Sequence, residues 1–157
     1  MREFAGGLAG AGCRVAVVVS RFNRSVTESL LDGAVEGLTA NGVADDAVDV
    51  LRVPGAFEIT VAAEACAASG RYAAVVCLGA VVRGETPHFE FISREVSRGV
   101  GDVACRHRIP VAFGVLTTDT MEQALARAGS GHGNKGYEAA VTALEMVDLL
   151  RRFRAAT

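Results

Sequence analysis

Short β-branched runs alternating with stretches of helical periodicity predict an α/β fold, with a four-stranded parallel sheet and helices on both of its faces. Three observations carry this. Four apolar runs of strand length recur along the chain, and apolar residues spaced three or four apart follow each. One run, Ala73–Val82, is apolar throughout, as a strand buried on both faces of a parallel sheet requires. Half of the 157 residues are hydrophobic, rich in Ala and Val, with 18 Gly and no Trp. Such small residues suit tight packing of helices on a sheet.

The first strand is Arg14–Val19, ending at Ser20. Ser25-Val-Thr-Glu28 then has the form of a capping box, with Ser25 as N-cap and Glu28 at N3. Val26, Leu30, Ala34 and Leu38 give that helix its apolar stripe, and Asn41-Gly42 stops it. Val48–Val53 is a second strand, cut off by Pro54-Gly55. A helix of small residues spans Phe57–Ala68 and closes at Gly70. After the Ala73–Val82 strand, a helix spans His88–Arg106, with Ile92, Val96, Val100 and Val103 on one side. Val111–Leu116 is the fourth strand. Thr120-Met-Glu-Gln123 is a second capping box, opening a short helix to Ala128. A glycine-rich loop, Gly129–Gly136, leads to the last helix, Tyr137–Phe153. The order β-α-β-α-β-α-β-α-α implies right-handed crossovers and a three-layer α/β/α sandwich of the flavodoxin-like kind. No repeat, linker or low-complexity tract interrupts it, so residues 1–157 read as one domain.

The composition excludes several classes of function. A net charge of −2 argues against a basic nucleic-acid binder. The longest apolar runs, such as Ala73–Ala80, fall far short of the ~20 residues that span a bilayer. Met1–Gly12 lacks the apolar core and cleavage site of a signal peptide. Cys13, Cys66, Cys77 and Cys105 form no C-x-x-C pair, and three sit in apolar surroundings, so reduced thiols in a cytoplasmic protein are expected. The three histidines show no metal-ligand spacing, and the chain lacks both the P-loop and the G-x-G-x-x-G fingerprint.

In parallel sheets of this kind, ligands bind beyond the carboxyl ends of the strands. The segments there are Arg21-Phe-Asn23, Pro54-Gly-Ala-Phe-Glu58, Arg83-Gly-Glu-Thr-Pro-His88 and Gly114-Val-Leu-Thr-Thr118, expected to meet on one edge. Gly84–His88 joins a buried strand to a helix, where free N–H groups and the helix dipole suit a phosphate. It reads equally as a plain turn with Thr86 as N-cap and Pro87 at N1. His88, in the first turn of that helix, is a candidate proton acceptor, because the dipole there opposes a positive charge. His107 lies at the far end, and His132 in the glycine loop. Phe22 could stack on a flat heterocycle or fold back on the core. Glu58 could complement a helix dipole or accept hydrogen bonds from a polyol. Arg127 and Lys135 flank the glycine loop; they suit either a solvated face or, beside a nest of backbone N–H groups, a phosphate.

Taken together, these segments closely resemble the 6,7-dimethyl-8-ribityllumazine synthase family of riboflavin biosynthesis. The motifs that carry the likeness are Arg21-Phe-Asn23, Val53-Pro-Gly-Ala-Phe-Glu-Ile59, Leu78–Phe89, Phe113-Gly-Val-Leu-Thr-Thr118, Glu122-Gln-Ala124, Arg127-Ala-Gly129 and Gly133-Asn-Lys-Gly136. The similarity runs from about Gly6 to Leu149, with these motifs in order. The resemblance implies a transferase that condenses 5-amino-6-(D-ribitylamino)uracil with 3,4-dihydroxy-2-butanone 4-phosphate, with neither metal nor organic cofactor. It also implies the roles of single residues. Phe22 would stack on the pyrimidine, and Ala56, Phe57 and Glu58 would line the ring and ribityl site. Val81 and Val82 would offer backbone groups, Gly84, Glu85 and Thr86 would present amides to the phosphate, and His88 would move protons. Phe113, Arg127 and Lys135 would come from a neighbouring subunit, with Arg127 as phosphate clamp and Glu138 orienting the histidine.

A shared site implies an obligate homo-oligomer, either a pentamer or a 60-subunit shell, with no nucleic-acid or membrane partner. No insertion lengthens 128–136, which favours the shell. Residues Arg2–Gly10 are expected to extend a neighbour's sheet by strand addition, residues 1–12 being an extension or exchanged strand. Two departures from the family pattern are the glycine-rich Ser130-Gly-His-Gly133 and Thr60 in place of a proline. The alternatives are a non-catalytic flavin- or lumazine-binding shell, which would need neither His88 nor Arg127, and an FMN electron carrier. The latter would want a hydroxyl- and glycine-rich loop after the first strand, which Arg21-Phe-Asn23 does not supply.

Overall fold

The computed structural model describes residues 1–129 and 133–157. Four strands, β1 (Val15–Ser20), β2 (Val48–Val53), β3 (Ala74–Val82) and β4 (Val111–Thr118), form one parallel sheet in the order β2-β1-β3-β4. The helices are α1 (Arg24–Ala40), α2 (Ile59–Ala68), α3 (His88–His107), α4 (Met121–Arg127) and α5 (Lys135–Ala155). Alternate residues of each strand feed opposite cores. Val15, Val17 and Val19 of β1 join Leu30, Leu38 and Leu144 beneath α1 and α5. Ala16 and Val18 join Ile59, Ala63, Val96 and Val100 beneath α2 and α3. This is the expected three-layer α/β/α sandwich. β3 runs through its middle with all but its last residue buried.

Two helix starts differ from the sequence reading. The capping box expected at Ser25 does not form: α1 begins at Arg24, behind Asn23 in the left-handed conformation (φ 57). Glu28 is drawn instead to Arg52 of β2, which donates through both Nη1 and Nη2. A forked, charge-assisted pair outcompetes a backbone cap for that carboxylate. At α3 the N-cap is Pro87, without a side-chain cap hydrogen bond, so Thr86 does not cap. The box at α4 does form, with Gln123 N donating to Thr120 Oγ1 (3.1 Å) and Thr120 N to Gln123 Oε1 (3.3 Å). α5 starts two residues early because Asn134 Oδ1 accepts from the amides of Gly136 (2.8 Å) and Tyr137 (3.1 Å). The reading of Ser130–Gly133 as a glycine loop carrying His132 falls largely on 130–132, outside the described residues.

The small residues do their work where α1 and α5 meet. A Cβ on Gly37 would lie 3.1 Å from that of Ala140, and one on Gly136 would strike the carbonyl of Leu30. Gly136→Ala is therefore expected to force the helices apart and destabilise the chain by about 1–3 kcal/mol, the usual cost of overpacking. Chemical denaturation with an unchanged midpoint would contradict this contact.

Burial raises the Cys66 thiol and pushes Cys77 up to about 12, which keeps both inert as nucleophiles. Cys13 is buried as well, and Cys105 is exposed. Among the described residues, no helix is long and apolar enough to cross a membrane.

Residues Arg2–Gly10 form no strand in the isolated chain; they lie along α5 of the same chain. Phe4 meets Phe153 edge to face at 5.7 Å, the Gly7 amide donates to Asp148 Oδ2 (2.7 Å), and Gly10 N donates to Asn41 O (2.9 Å). The Gly7 amide, followed by Arg152, holds the Asp148 carboxyl below the usual carboxylate range. A lowered carboxyl stabilises the fold above the unfolded range and ceases to do so as the pH falls through it. Acidification below about pH 4 is therefore expected to loosen residues 1–10 first. Limited proteolysis at that end should accelerate in acid, and in Asp148→Asn already at neutral pH. Equal cleavage of variant and parent would contradict the contact.

Candidate active site

A cavity of about 640 Å³ opens beyond the carboxyl ends of β1, β2 and β3. It lies where the chain order reverses, since β2 flanks β1 on one side and β3 on the other. Its wall comprises Phe22 after β1, Pro54–Glu58 after β2, and Ala80–Val82, Gly84, Thr86, His88, Phe89 and Ile92 along β3 and α3. Two further hollows have comparable volume. One, about 620 Å³, sits at the amino end of β4, and one, about 560 Å³, lies between α2 and α3 and shares Phe57 and Glu58 with this cavity. Neither holds His88 or Phe22.

The end of β3 shapes this cavity. Its register with β1 stops at Leu78, whereas its register with β4 continues to Val82. The last residues of β3 therefore present backbone groups on the β1 side that no strand takes. Asn23 Nδ2 donates to one of them, the Ala80 carbonyl, at 2.8 Å. Asn tolerates the left-handed backbone that this reach needs. The same turn directs Phe22 outward: its side chain is 68% exposed, and its amide donates to Ser20 Oγ at 3.3 Å. Phe22 does not fold back on the core. Phe57 also stands out, while Ala56 is buried beneath it and Glu58 is half-buried. A single turn of 3-10 helix over 56–58 sets these three before α2 begins.

Past β3, the loop amides of Gly84, Glu85 and Thr86 donate to no protein acceptor among the described residues. They precede the N-terminus of α3, which concentrates positive partial charge there. The exposed His88 ring also has no hydrogen-bond partner among the described residues, so both nitrogens are open to a ligand. His107, at the other end of α3, is engaged by Glu64 at 2.8 Å and belongs to a surface ion-pair cluster with Arg106.

Of the residues singled out in the sequence, Phe22, Ala56, Phe57, Glu58, Val81, Val82, Gly84, Thr86 and His88 come together on this cavity, with Glu85 in the loop beside it. The others do not. Phe113, Lys135 and Glu138 line a separate hollow of about 210 Å³ along β4 and α5, where Lys135 Nζ donates to Glu138 Oε2 (2.6 Å). Arg127 is exposed at the end of α4, its Nη1 donating to Gln123 O (3.1 Å). The end of β4 lies on the same edge of the sheet, with Thr118 opposite Val82, but it borders β3 on the side away from β1 and does not line the cavity. No lysine or arginine lines the large cavity.

Sequence reasoning named the segments containing Asn23 and Arg83 but gave neither residue a part in the site. An Asn just before a helix start is the residue type that enters left-handed backbone, and that signal could have drawn notice to Asn23. The pull of Arg83 on Asp119 and Glu90 is not readable from spacing.

A model of the 6,7-dimethyl-8-ribityllumazine synthase family matches residues 12–151, which include every one of these positions. With that match over most of its length, a flavodoxin-like sandwich and this cavity, the chain belongs to the 6,7-dimethyl-8-ribityllumazine synthase family, transferases of riboflavin biosynthesis.

Proposed function

We propose that the chain condenses 5-amino-6-(D-ribitylamino)uracil with 3,4-dihydroxy-2-butanone 4-phosphate to give 6,7-dimethyl-8-ribityllumazine, phosphate and water. One observation carries this reading. A single cavity combines an exposed aromatic face (Phe22), a carboxylate (Glu58), an imidazole (His88) and a run of unengaged amides (84–86), each suited to one part of these two substrates.

In this reading the pyrimidine stacks on Phe22, and unpaired backbone groups at the end of β3 meet its polar edge. The ribityl hydroxyls donate to Glu58 Oε1 and Oε2. The phosphate sits on the Gly84–Thr86 amides. The substrate amine attacks the butanone carbonyl, and loss of water gives an imine. Phosphate then leaves, and the ribityl-bearing nitrogen closes the second ring with loss of another water. Each step moves a proton, and His88 is placed to accept and return it. An amine and a carbonyl react readily once aligned, so orientation supplies much of the acceleration.

A doubly charged phosphate calls for a cation, which the walls of the cavity lack. Arg127 and Lys135 of an adjacent copy, with its exposed Phe113, complete the site in this reading, and the active form is an oligomer. The family's pentamer or 60-subunit shell is the form proposed. Sedimentation of an active preparation as monomer would overturn the shared site.

Turnover is followed by lumazine absorbance on mixing the two substrates. No product above the uncatalysed background would overturn the reaction and leave a binding shell in its place. Arg127→Ala is expected to raise KM for the phosphorylated substrate about 10- to 100-fold, the worth of a charge-assisted hydrogen bond. KM for the pyrimidine should stay close to that of the parent, and equal loss for both would contradict the clamp. His88→Ala should lower kcat by about 10²-fold or less while sparing KM. An unchanged kcat would remove it from proton transfer.

A further inference from the structure

The loop that carries the phosphate amides has no internal structure holding its shape. A Cβ on Gly84 would meet nothing within 4 Å, and the amides of 84–86 are unengaged among the described residues. One side chain spans the loop from end to end. Arg83 Nε donates to Asp119 Oδ1 (2.8 Å), and its Nη1 donates to Glu90 Oε1 (3.3 Å) in the first turn of α3. Its Cζ lies 4.5 Å from the centroid of the Phe89 ring. Its own amide donates to Thr118 O (2.9 Å), which extends the β3–β4 ladder by one residue. Among the described residues, every side-chain hydrogen bond made by residues 83–90 runs through this guanidinium.

The ties continue into α4. The Asp119 amide donates to Gln123 Oε1 (2.9 Å), and the Gln123 carbonyl accepts from Arg127 Nη1 (3.1 Å). The loop amides of this chain's cavity, and the Arg127 that this chain would offer to an adjacent copy, are thus anchored to one bridge between the ends of β3 and β4. Arg83 is not among the residues that line the cavity.

We infer that Arg83 is the positioning residue of the phosphate-binding rim, holding the loop of the Gly84–Thr86 amides against the end of β4 and the start of α3 through Asp119, Glu90 and Phe89. The inference rests on the reaction proposed above and extends it to a residue outside the cavity. Only a planar fork can take two carboxylates in different directions while stacking on a ring, so lysine is a partial substitute. The side chain is 47% exposed, and ion pairs at such sites contribute little to stability. A bridge of that kind acts on geometry, where a displacement of about 1 Å weakens binding and rate strongly.

The test uses the assembled protein carrying Arg83→Gln, Arg83→Lys or Asp119→Asn. Inorganic phosphate binding is measured by calorimetry, and KM for each substrate in turnover. Arg83→Gln is expected to raise the phosphate Kd and the KM for the phosphorylated substrate roughly tenfold, with KM for the pyrimidine and the thermal midpoint nearly unchanged. Arg83→Lys should recover part of the loss, and Asp119→Asn should move both readings in the direction of Arg83→Gln. A parental phosphate Kd in Arg83→Gln, absence of phosphate binding by the parent, or equal loss for both substrates would overturn the inference. Calorimetry needs no turnover. A parent that binds phosphate but forms no lumazine would therefore sink the proposed reaction, and the phosphate readings would still decide the case of Arg83.

Discussion

The site depends on a mismatch of strand lengths at the centre of the sheet. β3 pairs with β4 to its last residue but outruns β1 from Gly79 onward. A parallel strand that projects past its neighbour leaves backbone donors and acceptors without ladder partners, and buried ones must find other partners. Here a side chain takes one of them, Asn23 on the Ala80 carbonyl. The rest border the cavity. That contact sets the β1–α1 turn and hence the outward stance of Phe22; the end of the same strand sets where the loop to His88 begins. The aromatic platform and the imidazole, 66 positions apart in sequence (88 − 22), share one origin.

Much of this was legible in the sequence because it depends on periodicity and on fixed rules of chain topology. The all-apolar run of β3 could only be a central strand, and three crossovers of one hand then bring the loops after β1, β2 and β3 to one rim. Composition pointed to close packing of helices on the sheet; the close α1–α5 contact was not read from it. What the sequence withheld depends on competition between partners. Ser25 and Glu28 carry the pattern of a capping box, yet Arg52, 24 positions along, takes the carboxylate. Local pattern cannot weigh an offer from another strand. The segment at the end of β4 reaches the expected edge, yet strand order, not strand content, decides that it stays off the cavity.

The division of the candidate residues into two groups is informative in itself. Phe113, Lys135, Glu138 and Arg127 were singled out with the cavity residues, yet in one chain they lie on β4, α4 and α5, apart from His88. Within a single chain the Lys135 ammonium is occupied by Glu138, and among the described residues Arg127 makes only a local bond to its own helix. Both pairs are exposed, and exposed pairs of this kind are weak enough for a better anion to displace. In the proposed assembly, the loosely held cations of one copy would face the amide rim of another, whose cavity walls carry none.

A site shared in that way would change what one chain must contribute to catalysis. The proposed substrates carry their own reactivity, an amine and a carbonyl, so no electrophile has to be built from the protein. What the chain supplies is alignment: a flat face for the ring, acceptors for the polyol and a rim of amides for the phosphate. Alignment requires stiffness, and the elements around the cavity have it, since β3 is buried on both faces and Asn23 and Arg83 fix the turns on either side of its end. The exposed His88, in its proposed part, then needs only to be near. Proton transfer tolerates a mobile imidazole better than ring closure tolerates a mobile substrate. The proposed reaction thus accounts for rigid elements around the cavity and for an imidazole left free at a helix start.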